Sequence, residues 1–154
     1  PLGGLYGDAI MDHYRNPRRR SPLPDADVES HELNPFCGDE ITLQIKLDSE
    51  GRVESVSSVS QGCSIIQASA SMMAELMAGQ TLAVLKDRSR KFRSMMRGES
   101  LSEDDLKELG DLPALQVVRR YPVRIKCALL PWLALEEGIE KAASSSDGVR
   151  PKQE

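Results

Sequence analysis

The sequence contains no apolar run long enough to cross a bilayer and no signal-peptide pattern, which argues against a membrane-spanning or secreted protein. It also has no excess of basic residues. The net charge is −4 and the sequence pI is about 5.3, which argues against a general nucleic-acid binder. Only three cysteines are present, and an odd, sparse set does not suit a disulfide scaffold. We therefore expect reduced thiols in a cytoplasmic protein whose partners include neither membranes nor nucleic acids.

The proportions of apolar and charged residues are those of a globular protein. Apolar residues make up 40% of the 154 positions and charged residues 29%, which is typical of an ordinary compact domain. Residues 144–154 are rich in serine and charge, so they predict a disordered tail. We expect one domain over residues 1–143.

The first half of the chain predicts one helix and a hairpin. Apolar residues recur at helical spacing over residues 3–15, and the helix is expected to end before the first proline of the next segment. Residues 16–36 hold four prolines and indicate irregular chain with a short strand near 28–33. Apolar and polar residues alternate over 41–47, and a short turn leads to a second strand over 52–60. The short connection predicts an antiparallel pair.

The second half predicts helices. Apolar faces mark residues 64–78 and 82–96. Ser102 begins a capping-box pattern with an acidic substitute, which opens a short helix to about residue 109. Residues 111–119 indicate a further turn or two, and a last helix is predicted over 126–143.

Each cysteine stands at the boundary of a predicted element. Cys37 precedes the first hairpin strand, Cys63 ends the second strand and opens a helix, and Cys127 opens the last helix. The ends of elements in a packed domain can converge. Gly38 permits a tight turn, so the Cys37 thiolate and the Asp39 carboxylate can point to one centre.

These side chains suit one zinc ion. Zinc usually takes four ligands, and three cysteine thiolates with the carboxylate of Asp39 would complete a tetrahedron. The formal charge of such a site is about −2, counting the ion and four anionic ligands. Arg124 and Lys126 flank the third cysteine and would temper this charge. Helix N-termini at Cys63 and Cys127 would favour the thiolate form.

Plainer interpretations stand beside the metal site. A free cysteine is often an inert core residue, and no Cys-x-x-Cys pair anchors the set. His13 and His31 are interpreted as ordinary hydrogen-bonded or surface residues rather than ligands. The basic run Arg15, Arg18, Arg19 and Arg20 is interpreted as a solvated face. Core packing is expected for most of the methionines, namely Met72, Met73, Met77, Met95 and Met96.

Four motifs occur in order along the chain: Asp12-His13-Tyr14-Arg15-Asn16-Pro17-Arg18, Asn34-Pro35-Phe36-Cys37-Gly38-Asp39, Gly62-Cys63-Ser64-Ile65 with Ala68-Ser69-Ala70-Ser71, and Arg124-Ile125-Lys126-Cys127. Together they resemble the IscU/SufU family of iron–sulfur cluster assembly proteins, over about residues 5–143. Four ordered motifs are far more specific than any single one. The resemblance implies an α+β fold in which a small antiparallel sheet of about three strands packs against several helices.

Two features favour the SufU branch of that family. Lys126 occupies the position before the third cysteine, where IscU proteins carry a histidine. An extra helical segment around residues 92–118 is similar to one that SufU proteins have and IscU proteins lack. The resemblance therefore favours a SufU-like protein.

The resemblance implies a zinc-dependent sulfurtransferase. SufU proteins accept persulfide sulfur from a SufS-type cysteine desulfurase and serve downstream iron–sulfur assembly proteins. Carried over by position, the sulfur acceptor is Cys37, and Arg124 has an electrostatic role near the site. The zinc ligands implied are Cys37, Asp39, Cys63 and Cys127.

Three alternatives remain open at this point. The same cysteines could hold an iron–sulfur cluster, as in an IscU-type scaffold. The chain could instead be a structural zinc domain that only docks to partners, or its three cysteines could be inert. The sequence names neither the final sulfur recipient nor the oligomeric state.

Overall fold

A computed structural model describes residues 4–35 and 38–146 of the chain, without the side chains of residues 4–6, 145 and 146. Cys37 lies outside the described residues. The helices and strands follow one another as α1 (Gly4–Arg15), β1 (Val28–Asn34), β2 (Asp39–Leu47), β3 (Val53–Gln61), α2 (Ser64–Met77), α3 (Leu82–Met96), α4 (Glu103–Glu108), the 3₁₀ helix η1 (Leu112–Arg120) and α5 (Pro122–Ser146).

The three strands form one antiparallel sheet in the order β1-β2-β3. Ile41, Leu43 and Ile45 are fully buried, and the residues between them are only partly covered, because successive side chains of a strand point to opposite faces. The predicted hairpin is confirmed, and so is the strand predicted near residues 28–33. Gly51, at positive φ, closes the turn between β2 and β3.

Helices cover the inward face of the sheet in two layers. α2 packs against β3, and α5 packs against β1 and β2. α1, α3 and η1 then pack against α2 and α5. All five methionines expected in the core are buried, together with Phe92 and Trp132. The predicted α+β class, with a small antiparallel sheet against several helices, is confirmed.

The last helix begins earlier than the sequence pattern predicted. α5 begins at Pro122 rather than near residue 126, and the backbone N–H groups of Arg124 and Ile125 both donate to the carbonyl of Tyr121. Proline is favoured at the first position of a helix because its missing N–H has no helical partner there. Cys127 is therefore the sixth residue of α5, and the prediction that it opens the helix is wrong.

The C-terminal segment is described in part. α5 continues to Ser146, so residues 144–146, assigned to a tail from the sequence, are helical. Residues 147–154 lie outside the described residues, and their disorder stays a prediction, as does the domain boundary at residue 143. Among the described helices, none has both the length and the apolar character needed to cross a membrane.

Candidate metal centre

Three side chains from three separate elements meet at one end of the sheet. Asp39 is the first residue of β2, Cys63 immediately precedes α2, and Cys127 lies inside α5. One carboxylate oxygen and the two sulfur atoms lie within 4.8 Å of one another. The convergence predicted for Asp39, Cys63 and Cys127 is therefore present, while the fourth residue of the predicted set, Cys37, is not described.

Asp39 is held in place by the neighbouring turn. Its carboxylate is buried and accepts the backbone N–H of Cys63 at 3.1 Å, and the Cys63 thiol donates to it at 3.9 Å. Gly62 allows this approach: a Cβ atom there would lie 2.0 Å from Asp39 Oδ1, and the φ of Gly62 is +135°. Only glycine fits such a site without displacing the carboxylate.

Cys63 occupies the N-cap position of α2, as the sequence predicted. Its backbone is extended, its side chain makes no capping hydrogen bond, and its carbonyl accepts the N–H of Gln67 at 3.3 Å. The positive end of the helix dipole favours an anionic sulfur at this position. Cys63 is half-buried, so it is the more accessible of the two described cysteines.

Cys127 is fully buried in α5, and its thiol donates to the carbonyl of Val123 at 3.6 Å. Burial raises the pKa of this thiol, and the nearby Asp39 and Cys63 raise it further. The prediction that a helix N-terminus favours the Cys127 thiolate is wrong, because the dipole acts within the first turn and Cys127 lies beyond it. In the absence of a metal, Cys127 therefore favours the neutral thiol.

Arg124 is one of the two cations that the sequence placed beside this centre. The pKa of its guanidinium is raised by a hydrogen bond with Cys127 and by the charge of Cys63. Arg124 lies one turn before Cys127 on α5 and is exposed to solvent. Lys126, which also flanks Cys127, is exposed.

The described donor set fits a thiophilic divalent ion such as zinc. Ligand atoms around a tetrahedral zinc lie about 3.3–3.8 Å apart, given the usual Zn–S and Zn–O bond lengths. The Asp39 oxygen and the Cys63 sulfur are 3.9 Å apart, and the whole set falls within 4.8 Å, so only a small closure is required. Gly38 has a φ of +74°, and its N–H donates to the carbonyl of Asn34 at 2.9 Å, which confirms the tight turn predicted before Asp39.

An open groove of about 720 Å³ lies beside the centre. Tyr121 and Val123 are exposed in its wall, the latter to 63%. Two arginines also line it, and no carboxylate occurs among its described lining residues. The lining residues are Cys63, Ser64, Ile65, Val118, Arg120, Tyr121, Pro122, Val123 and Arg124. Sequence reasoning missed this surface, because its wall depends on how η1 meets α5.

A second cluster of ligand-type side chains lies towards the other end of α2. His13, Glu75 and Asp111 also bring one atom each within 4.8 Å. His13 is fully buried and lies 2.8 Å from both Ser71 Oγ and Asp111 Oδ2. The interpretation of His13 as an ordinary hydrogen-bonded residue fits these contacts. His31, by contrast, is an exposed residue 3.3 Å from Glu40.

Most of the basic run faces solvent. Arg15, Arg19 and Arg20 are exposed, whereas Arg18 binds Asp12 at 2.7 Å and Glu75 at 3.2 Å. The Arg18 hydrogen bond holds the pKa of Asp12 below its ordinary value. Arg18 is therefore part of the structure around the second cluster, and the solvated face consists of the other three arginines.

Comparisons with known proteins agree with the four sequence motifs. Residues 5–128 match the family model of the NifU-like N terminal domain. The chain is 46% identical over 140 residues to the zinc-dependent sulfurtransferase SufU of Bacillus subtilis (strain 168), covering 91% of this chain and 92% of that protein. It is 35% identical over 137 residues to the iron–sulfur cluster assembly scaffold protein IscU of Thermotoga maritima, covering 89% and 94%.

A solved structure supports the same assignment. The crystal structure of FiSufU from Fervidobacterium islandicum AW-1, described as a candidate iron–sulfur cluster assembly scaffold protein for the SUF system, has a TM-score of 0.79 and 30% identity. The match covers 90% of this chain and 96% of that one. The resemblance to IscU/SufU-type proteins is confirmed, and the chain belongs to the family of NifU-like N-terminal domains.

Proposed function

We propose that this protein is a zinc-dependent sulfur acceptor in iron–sulfur cluster assembly, acting in the cytoplasm with a SufS-type cysteine desulfurase. The observation that carries the proposal is the convergence of Asp39, Cys63 and Cys127 within 4.8 Å. The SufU relative, named a zinc-dependent sulfurtransferase and 46% identical, supports it.

The proposed ligands are the three described residues and Cys37, which lies two positions before Asp39 in the sequence. When bound, zinc would keep the cysteine ligands as thiolates and protect them from oxidation. Asp39 is the least thiophilic of the four, so it is the ligand that a partner displaces most easily. Arg124 would offset part of the negative charge of this site, since the two described cysteines already raise the pKa of its guanidinium.

Cys37 is the proposed sulfur acceptor, and the described cysteines support this choice by their own settings. Cys127 is fully buried in α5, so a partner's persulfide has no direct access to its sulfur. Cys63 is fixed at the start of α2 by its N–H bond to Asp39. Both therefore suit permanent ligands better than a nucleophile that must meet another protein.

The transfer itself is an exchange at sulfur. The Cys37 thiolate attacks the outer sulfur of the persulfide on the desulfurase cysteine, a new S–S bond forms at Cys37, and the desulfurase thiolate leaves. No oxidant or reductant is required, because one S–S bond replaces another. Downstream iron–sulfur assembly proteins are then the proposed recipients of the sulfur.

The groove beside Cys63 is the proposed contact surface for the desulfurase. Its exposed apolar residues, Tyr121 and Val123, would be covered by a partner. Arg120 and Arg124 line it without a carboxylate among the described lining residues, so charge complementarity favours an acidic segment on the desulfurase.

A cluster scaffold is the second candidate, favoured by the 35% identity to a protein named IscU. The same thiols would then hold an iron–sulfur cluster. Lys126 in place of histidine before the third cysteine weighs against it, since a cationic side chain is not a ligand at neutral pH.

One experiment separates the two candidates. The protein is purified without oxygen, its colour and metal content are recorded, and it is incubated with a SufS-type desulfurase and cysteine. A colourless zinc protein that carries a persulfide on the Cys37 peptide, located by mass spectrometry, supports the proposal. A brown protein with iron and sulfide in place of zinc supports the scaffold. A persulfide that appears on the Cys127 peptide before the Cys37 peptide would contradict the assignment of the acceptor.

A further inference from the structure

Three helical elements meet at one buried histidine outside the metal centre. His13, on α1, is 0% exposed, and its Nδ1 lies 2.8 Å from the hydroxyl of Ser71 on α2. Its Nε2 lies 2.8 Å from a carboxylate oxygen of Asp111, the residue that precedes η1. A single imidazole thus links α1, α2 and the start of η1.

The partners assign the direction of each hydrogen bond. A carboxylate only accepts, so the N–H on Nε2 donates to Asp111. The hydroxyl of Ser71 accepts the backbone N–H of Arg18 at 3.0 Å and is free to donate its own proton to Nδ1. Every polar atom of the ring is satisfied in this way, which a buried imidazole requires. We call this arrangement, Ser71, His13 and Asp111, the His13 clamp.

The His13 clamp is a structural hydrogen-bond network rather than a cation site. Nε2 is already engaged by Asp111, and the nearer oxygen of Glu75 is 3.6 Å away. Glu75 is also paired with Arg18 at 3.2 Å. A cation would have to displace two hydrogen-bonded partners, so the geometry favours a structural link.

The His13 clamp lies at the start of the element that forms part of the groove wall beside the candidate metal centre. From Asp111, η1 runs along α1 towards that centre, so that Val117 and Val118 border a 290 Å³ cavity together with Met11 and Ile65. The end of η1 then lines the 720 Å³ groove that also contains Cys63 and Arg124. A 3₁₀ helix has poor internal hydrogen-bond geometry and depends on its tethers. η1 is held by its buried apolar residues Leu112, Leu115 and Val118. It is also held by two polar tethers, the bond between Asp111 and His13 at 2.8 Å and a bond from Arg119 to the carbonyl of Met95 at 3.0 Å.

We propose that His13 is a positioning residue for partner recognition: through Asp111 it keeps η1 in the conformation that forms the groove wall. The proposal rests on the proposed function, because the partner is the cysteine desulfurase. Without the clamp, η1 samples conformations that cannot dock. The apparent dissociation constant rises by the inverse of the fraction that remains competent, while the rate of the bound complex is unchanged.

The test uses two carboxylates from the same part of the chain. Asp111→Ala removes the clamp, and Glu108→Ala is the matched control, since the side chain of Glu108 binds Lys91 on α3 at 2.8 Å. The two side chains are comparably exposed, at 51% and 41%. Asp111→Asn keeps an acceptor oxygen and should restore the wild-type behaviour.

Two readouts are measured on each zinc-loaded variant. The first is amide hydrogen exchange of residues 112–121. The second is desulfurase turnover as a function of the concentration of this protein. For Asp111→Ala we expect faster exchange in 112–121 and about a fivefold rise in the half-saturating concentration, which corresponds to a competent fraction of about one fifth, with the same maximal rate. Glu108→Ala and Asp111→Asn should match wild type in both readouts.

The outcomes that overturn the proposal are distinct from those that overturn the function. If wild type stimulates the desulfurase and Asp111→Ala has the same half-saturating concentration, the positioning role is wrong. A lower maximal rate at unchanged half-saturation would also contradict it. If wild type gives no stimulation, the proposed function fails and the recognition role fails with it. The exchange data then decide separately whether the clamp holds η1.

Discussion

Two clusters of ligand-type side chains, one near each end of α2, differ in how their polar atoms are satisfied. Cys63 and Glu75 are twelve residues apart, about 18 Å along a helix. Around His13 both ring nitrogens have partners at 2.8 Å. Around Cys63 and Cys127 each thiol donates only a weak S–H hydrogen bond, at 3.9 and 3.6 Å.

The difference shows how a metal centre can be told from a structural hydrogen-bond network in a chain without bound ions. A buried cluster whose donors and acceptors pair completely gains nothing from a cation. A buried cluster of two thiols and a carboxylate brings together groups that would repel each other once ionised, and it becomes favourable only when a cation neutralises them. By this criterion the cysteine cluster suits the proposed metal ion, and the His13 cluster suits a structural hydrogen-bond network.

The largest effect is expected from a substitution of the proposed sulfur acceptor. Cys37→Ser should abolish stimulation of the desulfurase, because a hydroxyl at this position cannot take over a persulfide sulfur as a thiolate does. The measurement is alanine or sulfide production by the desulfurase with saturating amounts of each variant. Stimulation by Cys37→Ser at the wild-type level would show that another thiol accepts the sulfur.

Of the carboxylates in the two clusters, only Asp39 is expected to contribute to zinc affinity. Asp39→Ala removes a proposed ligand and leaves the Cys63 N–H unpaired, so zinc affinity should fall by about 10- to 100-fold. Competition with a chromophoric chelator measures this affinity. Glu40→Ala is the control, since Glu40 is the adjacent carboxylate and pairs with exposed His31. Equal affinities for the two variants would remove Asp39 from the ligand set.

A substitution in the His13 cluster should lower the stability of the fold and leave zinc binding unchanged. His13→Ala leaves Ser71 and Asp111 without their shared partner and opens a small cavity. The free energy of unfolding should fall by about 2–3 kcal/mol. Zinc content should be unchanged. Denaturant unfolding of the zinc-loaded protein measures the effect, with His31→Ala as the control, because His31 is exposed. Loss of zinc in His13→Ala would contradict the separation of the two clusters.

The smallest expected effect is a pH dependence of the metal-free protein. Burial raises the pKa of Cys127 in the folded state. The folded state therefore keeps its proton when the unfolded thiol ionises, at a pKa of about 8.5, and stability falls as pH rises above that value. Between pH 8 and 10, the free energy of unfolding of the metal-free wild type should fall by about 1–2 kcal/mol more than that of metal-free Cys127→Ala. Parallel curves for the two proteins would show that Cys127 ionises normally in the fold.

Much of the fold could be predicted from local pattern. The alternation of Ile41, Leu43 and Ile45 was sufficient for β2, and the start of α4 followed from Ser102, whose hydroxyl accepts the N–H of Asp105 at 3.1 Å. The start of α5 was missed because its first turn has no apolar periodicity. Pro122 was the available signal, since proline favours the first position of a helix.

The site could be predicted only in part, for a physical reason. The three cysteines were placed by their positions at predicted boundaries, and that argument failed for Cys127, which reaches the centre from inside a helix. The partners of His13 lie 58 and 98 residues away in the sequence, so no local pattern could reveal them. The close approach of Gly62 to Asp39 likewise depends on how two strand ends meet.

Zinc content per folded chain tests the central claim most directly. Elemental analysis of purified, monodisperse protein is compared for wild type, Cys127→Ser and His31→Ala, with circular dichroism to confirm that each is folded. We expect one zinc per chain in wild type and in His31→Ala, and a large loss in Cys127→Ser. Folded wild type with less than about a tenth of an equivalent of zinc, or undiminished zinc in Cys127→Ser, would contradict the assignment of the metal centre.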